Sequence, residues 1–492
     1  MKKNNKLELH IYFFLILLSL FSFSLISISR IGFQHEILTS FKSFLLFIFL
    51  IFLKDIFNYL KINYFENKLV YFFIGLLFIF LLNKINSFFS IDISNVIYLI
   101  ALAQLLFFLY QNFLYLIKNK KLLLLFIFFP FWCCSAYYSN HFISPLMYEK
   151  IITGSWAHRD ELFHSALSGM IKTYGIFSNG INGLKEIHYH YFSHFFIAQL
   201  SEFLKTNTLE LYSIIYPILI IPMFFYSFYY LCYRCMQLFN KKNEYENYEL
   251  IFWLLSFVLF ILPLPMYWLS ENYQYLRSQS YNIGLIFLFI GISISIDTYY
   301  QIYNKKLNHI KFNSLISLII LSLVFFALSA SKFSLLYFVF MSYLFFFLRL
   351  KLYKNLIFYL IGFIIFLISI FIYFNIIYNF QLYWGAHGFE ISYITRLLNN
   401  PYSGPYYKYL LPTLFYFVVK ITVNQLYNFK NFKYLYFNNK LIDIEYLFYI
   451  LIILYLFPYS FTGGIQIYIC YFIMLINLRT IINFFKKISD YS

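Results

Sequence analysis

Between His158 and His194 the chain reads HRDELFHSALSGMIKTYGIFSNGINGLKEIHYHYFSH, a polar island holding five of the ten histidines in a sequence otherwise dominated by Phe, Leu, Ile and Tyr. Acids and imidazoles are costly to keep beside a bilayer, so this island is where chemistry is expected first. The residues over 158–173 are expected to be helical, with Asp160 and Glu161 in the first turn, where the helix dipole favours acids. Asp160 and His164, at i,i+4 spacing, share a face of that helix, and His190 and His194 share one if the HYHYFSH run is helical. Two chemistries suit such a set. A carboxylate can act as general base towards a hydroxyl while cationic or hydrogen-bonding groups receive a phosphate leaving group. Alternatively, imidazoles from two helices can ligate a divalent metal ion, with His164, His190 and His194 as the candidate ligands. The bland alternative is that these histidines and tyrosines anchor an interfacial loop, as aromatic belts do.

The elements that must position this island are readable from periodicity. Leu162, Phe163, Ala166 and Met170 form an apolar stripe, so the helix is expected to lie on the membrane surface with its polar face above. The stretch YGIFSNGING over 174–183 is a turn-forming loop. Around the island, apolar runs alternate with short basic loops and predict about fourteen transmembrane helices. They lie near 9–29, 38–53, 69–83, 93–117, 122–139, 211–231, 250–268, 281–300, 313–330, 333–348, 355–378, 409–427, 443–460 and 464–478. The expected fold class is therefore an all-α integral membrane protein, a polytopic helical bundle whose long external loop carries an amphipathic interfacial helix. A barrel is excluded because its strands would be about 10 residues long and alternating.

Composition agrees. The 492 residues are 62% hydrophobic and only 12% charged, against roughly 25% charged in soluble domains. A net charge of +17 would suggest nucleic acid in a soluble protein. Here the cations cluster in short loops, among them Lys54/Lys61/Lys68, Lys118/Lys120/Lys121, Arg234/Lys241/Lys242 and Lys305/Lys306/Lys311. That clustering is an orientation signal: no nucleic-acid partner is expected, both termini are cytoplasmic, and the island is extracytoplasmic. The 68 Phe and 51 Tyr, with abundant Ile, Asn and Lys, reflect AT-rich coding and point to a bacterial inner membrane. MKKNNK before a long apolar run reads as an uncleaved first span. Of the five cysteines, Cys232 and Cys235 form a lone CxxC, too little for a structural zinc site.

At HRDELFHSALSGMIKTYG and HYHYFSH the sequence resembles bacterial multi-pass proteins of the C-fold (GT-C) glycosyltransferase superfamily. The resemblance also takes in Ala330-Ser331-Lys332 and the Gly463-Gly464-x-Gln466 turn. It implies transfer of a sugar from a polyprenyl-phosphate-linked donor to an extracytoplasmic glycan, lipid or protein acceptor in cell-envelope biogenesis. Asp160 would be the base, with Glu161 beside it, while Arg159, His188, His190, Lys332 and Arg396 would hold the carrier phosphate. Membrane lipids are the other expected partner. The family's acid usually sits in the first external loop, so residues 1–121 are expected to form a four-span accessory module. Residues 122–492 would then form the core, with 140–208 as the catalytic loop. Two other functions fit the composition. A lipid-linked glycan polymerase or ligase would favour arginine-rich external loops. A transporter or flippase would need polar groups at the bilayer midplane, and the spans are nearly free of them.

Overall fold

The computed structural model describes residues 6–62, 65–89, 93–118, 120–138, 159–178, 191–239, 250–254, 256, 279–303, 312–331 and 367. Among the described residues the chain is helical and forms no β-strand. The helices are α1 (Lys6–Ser29), α2 (Gln34–Tyr59), α3 (Lys68–Phe89), α4 (Ser94–Lys118), α5 (Lys120–Tyr138), α6 (Arg159–Tyr174), α7 (Tyr191–Phe203), α8 (Tyr216–Phe239), α9 (Gln279–Tyr303) and α10 (Phe312–Ser331).

Six stretches among the described residues are long and apolar enough to cross a membrane: Lys6–Ser29, Gln34–Tyr59, Lys68–Asn86, Ser94–Phe113, Thr208–Leu238 and Asn282–Tyr300. A crossing needs about 20 apolar residues in a helix, because hydrocarbon offers no partner for an open backbone N–H or C=O. Leu123–Cys134 and Ile319–Leu328 are shorter apolar helices at two further expected spans. The expected span at 250–268 is described only at its start, and the five expected from 333 onward lie outside the described residues, except for position 367.

The central helix is α8, which packs on α1, α2 and α9. Its apolar window is wholly enclosed, whereas that of α4 is 28% buried and turns Leu99, Leu106, Phe107 and Tyr110 outward. An all-apolar helix is stable in either setting, so hydropathy alone does not separate the two. Interlocking aromatic rings hold the centre: Trp253, fully buried, packs on Phe14, Phe126 and Tyr229 with centroids 5.0, 5.0 and 5.4 Å away. Phe287 of α9 likewise meets Phe73, Phe192 and Phe196.

Polar side chains pin the crossings. Ser19 donates to the Ile218 carbonyl at 2.7 Å, Asn83 to the Gln199 carbonyl at 2.7 Å, and Asn282 to the Tyr216 hydroxyl at 2.9 Å. In an apolar surrounding such bonds fix register, since the alternative is a buried polar group with no partner. Contacts of α1, α2 and α3 with α7, α8 and α9 join helices on both sides of residue 121.

The two ends of the bundle differ. At one, Lys68 bridges Glu8 at 3.1 Å and Asp55 at 3.3 Å and lies 4.6 Å over the Tyr12 ring. Beside it Arg234 bonds Asp297 at 2.9 Å, Glu66 at 3.1 Å and Gln237 at 2.7 Å, and Lys54 donates to the Glu66 carbonyl. Thus α1 and α3 start at this end, and α2, α8 and α9 finish there. At the opposite end Arg30 pairs with Glu36 at 3.3 Å, and His35 lies 4.0 Å from Glu210.

Candidate functional site

The island helix α6 packs against α7 and against the entry to α8, at the Glu210 end of the bundle. Its first turn is formed by Arg159, Asp160 and Glu161, as expected, and it ends at Gly175, whose φ of 71° suits a residue without a Cβ. The Gly175 N–H closes the helix by donating to the Ile171 carbonyl at 2.9 Å.

The expected orientation of α6 is corrected in one respect. Leu162, Phe163 and Ala166 do face outward, but Ser165 and Ser168 on the polar side are buried against neighbouring helices. Over its described residues the polar face packs against protein. A membrane protein inverts the soluble pattern, because apolar side chains are at home in lipid while hydroxyls and imidazoles need protein partners.

That inward face gathers a hydroxyl and imidazole network. The His164 and His194 rings lie nearly parallel, with centroids 5.0 Å apart and planes 26° apart. Ser168 Oγ donates to the His164 carbonyl at 3.0 Å and lies 3.3 Å from His194 Nδ1 and 3.1 Å from the Tyr212 hydroxyl. Phe177 covers His194 with its centroid 5.5 Å away. Burial, reinforced by the nearby His164, pushes the His194 imidazole down to about 3, so this ring is neutral at pH 7. One turn along, Ser165 Oγ lies 3.1 Å from Thr208 Oγ1, which itself donates to the Ser165 carbonyl at 2.9 Å.

Two ionisable side chains lock the turn between α7 and α8. Lys172 donates to the Ser201 carbonyl at 3.3 Å and to the Thr206 carbonyl, placing a cation over the carbonyl end of α7. Half-burial lowers its affinity for a proton, partly offset by Glu202 and Glu210. Glu210 is 3% exposed. Its backbone N–H donates to Asn207 Oδ1 at 2.6 Å, and its carboxylate accepts from Thr206 and, at 3.5 Å, from Asn207. This is reciprocal capping of a helix start. The following π segment, Leu211–Ile215, precedes Pro217, whose ring has no N–H to give and crowds the carbonyl four residues earlier.

Of the residues expected to form the site, the structure brings together His164 and His194, and it places Arg159, Asp160 and Glu161 at the start of the same helix as His164. The side chains of Arg159, Asp160 and Glu161, and all of His188, His190, Lys332 and Arg396, lie outside the described residues. Ala330 and Ser331 close α10, which packs on α7. Among the described residues no group of three or more His, Cys, Asp or Glu side chains converges as a metal ion would need. The cysteines Cys232 and Cys235 are buried thiols in α8.

Sequence reasoning missed Ser168, Lys172, Thr208 and Tyr212. The signal for the first two was present: His164, Ser168 and Lys172 recur every four residues, so they form one stripe opposite the apolar one. No protein-family model, curated protein or solved structure matches this chain.

Proposed function

We propose that the chain is a membrane glycosyltransferase that moves a sugar from a polyprenyl-phosphate-linked donor to an extracytoplasmic acceptor. Asp160 takes the proton of the acceptor hydroxyl as its oxygen attacks the anomeric carbon. The bond from that carbon to the phosphate oxygen breaks, and polyprenyl phosphate leaves with the bonding pair. Arg159, His188, His190, Lys332 and Arg396 are the groups assigned to the phosphate, whose charge rises as it departs.

The observation that carries the reading is the packing of α6. The helix whose first turn holds Asp160 and Glu161 is built into the bundle through His164, Ser165 and Ser168, at the end opposite the Lys68 and Arg234 ion pairs. A helix so anchored gives its first turn a fixed place at that end of the bundle, as the positioning of a base requires. The positions of the ion pairs weigh against a transporter: Glu8, Asp55, Lys68, Arg234 and Asp297 all lie within about two turns of a helix end, where a midplane substrate site is not formed.

The test uses the full chain in liposomes with a polyprenyl-phosphate hexose, reading release of polyprenyl phosphate. Asp160→Asn keeps the shape and removes the base, and should lower turnover by about a hundredfold or more. Glu161→Gln should cost less, because the next position on a helix is turned by about 100°. Full activity in both variants would remove the mechanism.

A further inference from the structure

Ser168 has one hydroxyl proton and three polar neighbours. Its Oγ lies 3.0 Å from the His164 carbonyl, 3.3 Å from His194 Nδ1 and 3.1 Å from the Tyr212 hydroxyl, and that hydroxyl is 3.5 Å from the same Nδ1. The carbonyl carries no proton, so Ser168 donates there, and its oxygen must accept from the other two. Tyr212 then donates to Ser168, and His194 Nδ1 carries a proton shared between the two hydroxyl oxygens. Every contact is satisfied in this arrangement. If Nδ1 were bare, the two hydroxyl protons would have to serve the carbonyl, the imidazole and the contact between the hydroxyls, and one would go without. Ser168, His194 and Tyr212 are each at most 3% exposed, so bulk water does not repair the deficit.

We infer that Ser168 is a positioning residue that holds His194 as its Nδ1–H tautomer and leaves Nε2 as the lone-pair nitrogen. A lone pair accepts from an O–H and repels an oxyanion. The tautomer assignment stands apart from the transferase reading.

The experiment is solid-state nitrogen NMR of the full chain, labelled at histidine and held in bilayers at neutral pH, with His194→Gln used to find the His194 signals. The expected wild-type spectrum has the directly bonded proton on Nδ1 alone. Ser168→Ala should lose that single state, giving a mixture or an Nε2–H ring, and Ser168→Thr, which keeps the hydroxyl, should retain it. A wild-type ring protonated at Nε2 overturns the inference, and so does a Ser168→Ala spectrum identical to wild type. Because this readout needs no turnover, a fully active Asp160→Asn protein would remove the transferase and leave the tautomer assignment in place.

Discussion

The imidazoles of His164 and His194 stand face to face, 5.0 Å apart at their centroids, one from the helix that carries the acidic pair and one from the buried helix behind it. Burial, with His164 beside it, holds the His194 ring neutral and hydrogen-bonding at pH 7.

That neutrality has a pH signature. The folded His194 is pushed down to about 3 from its ordinary 6.5, chiefly by burial. Below the ordinary value the unfolded chain takes up a proton that the folded one refuses. The contribution to stability is thus complete above that value and is lost as pH falls towards the folded one. Thermal unfolding in detergent should move down between pH 7 and pH 4.5, and His194→Gln should flatten the change. An equal pH response in the variant would show that other groups carry it.

Arg234 is 5% exposed at its side chain and Asp297 11%, and between them they join α8 to α9. Arg234→Met leaves a buried carboxylate without its guanidinium and should cost about 3 to 5 kcal/mol. Replacing both, as Arg234→Met with Asp297→Leu, should recover most of the loss. Equilibrium unfolding of the single and double variants in mixed micelles checks the coupling, and additive losses would mean that the two side chains act independently.

Gly75 of α3 faces α2 so closely that a Cβ there would lie 2.9 Å from the Cδ2 atoms of both Leu50 and Leu53. Gly75→Ala should destabilise by about 1 kcal/mol, since only the ends of two leucines must move, and Gly75→Ile by more. Leu50→Ala should ease the Gly75→Ile defect. If the large substitution is tolerated alone, the two helices are not packed this tightly in the membrane.

Tyr174 at the end of α6 is 62% exposed, and Tyr59 at the end of α2 is 88% exposed. Helix directions set them at opposite ends of the bundle. With the five native cysteines replaced, Tyr174→Cys should react with an impermeant thiol reagent in intact cells, and Tyr59→Cys only after permeabilisation. The reverse pattern would put the island in the cytoplasm and end the extracytoplasmic reading.

The apolar runs by themselves determined that the described residues are helical and include six stretches long and apolar enough to cross a membrane, because a helix satisfies its backbone groups without outside partners. They also located α1, α4, α5, α9 and α10 to within three residues at either end, whereas α2, α3 and α8 run six to eight residues past the expected ends; the acid pair at the start of α6 was legible from the helix dipole. The end of that helix was legible too, because the Gly- and Asn-rich stretch from 174 reads as a turn-forming loop.

What the sequence left open was partnership. Lys68 and Arg234 read as loop cations marking one membrane face, yet each is neutralised by acids from other helices: Glu8 and Asp55 for the first, Glu66 and Asp297 for the second. The inward turn of the polar face of α6, and the meeting of Ser168 with His194 and Tyr212, were equally out of reach. Periodicity is set by the 3.6-residue turn within one helix. Which helices touch, and at what rotation, is set by ring packing and buried polar bonds between segments more than a hundred residues apart, such as Ser19 with Ile218 and Asn83 with Gln199, and only the folded bundle specifies those.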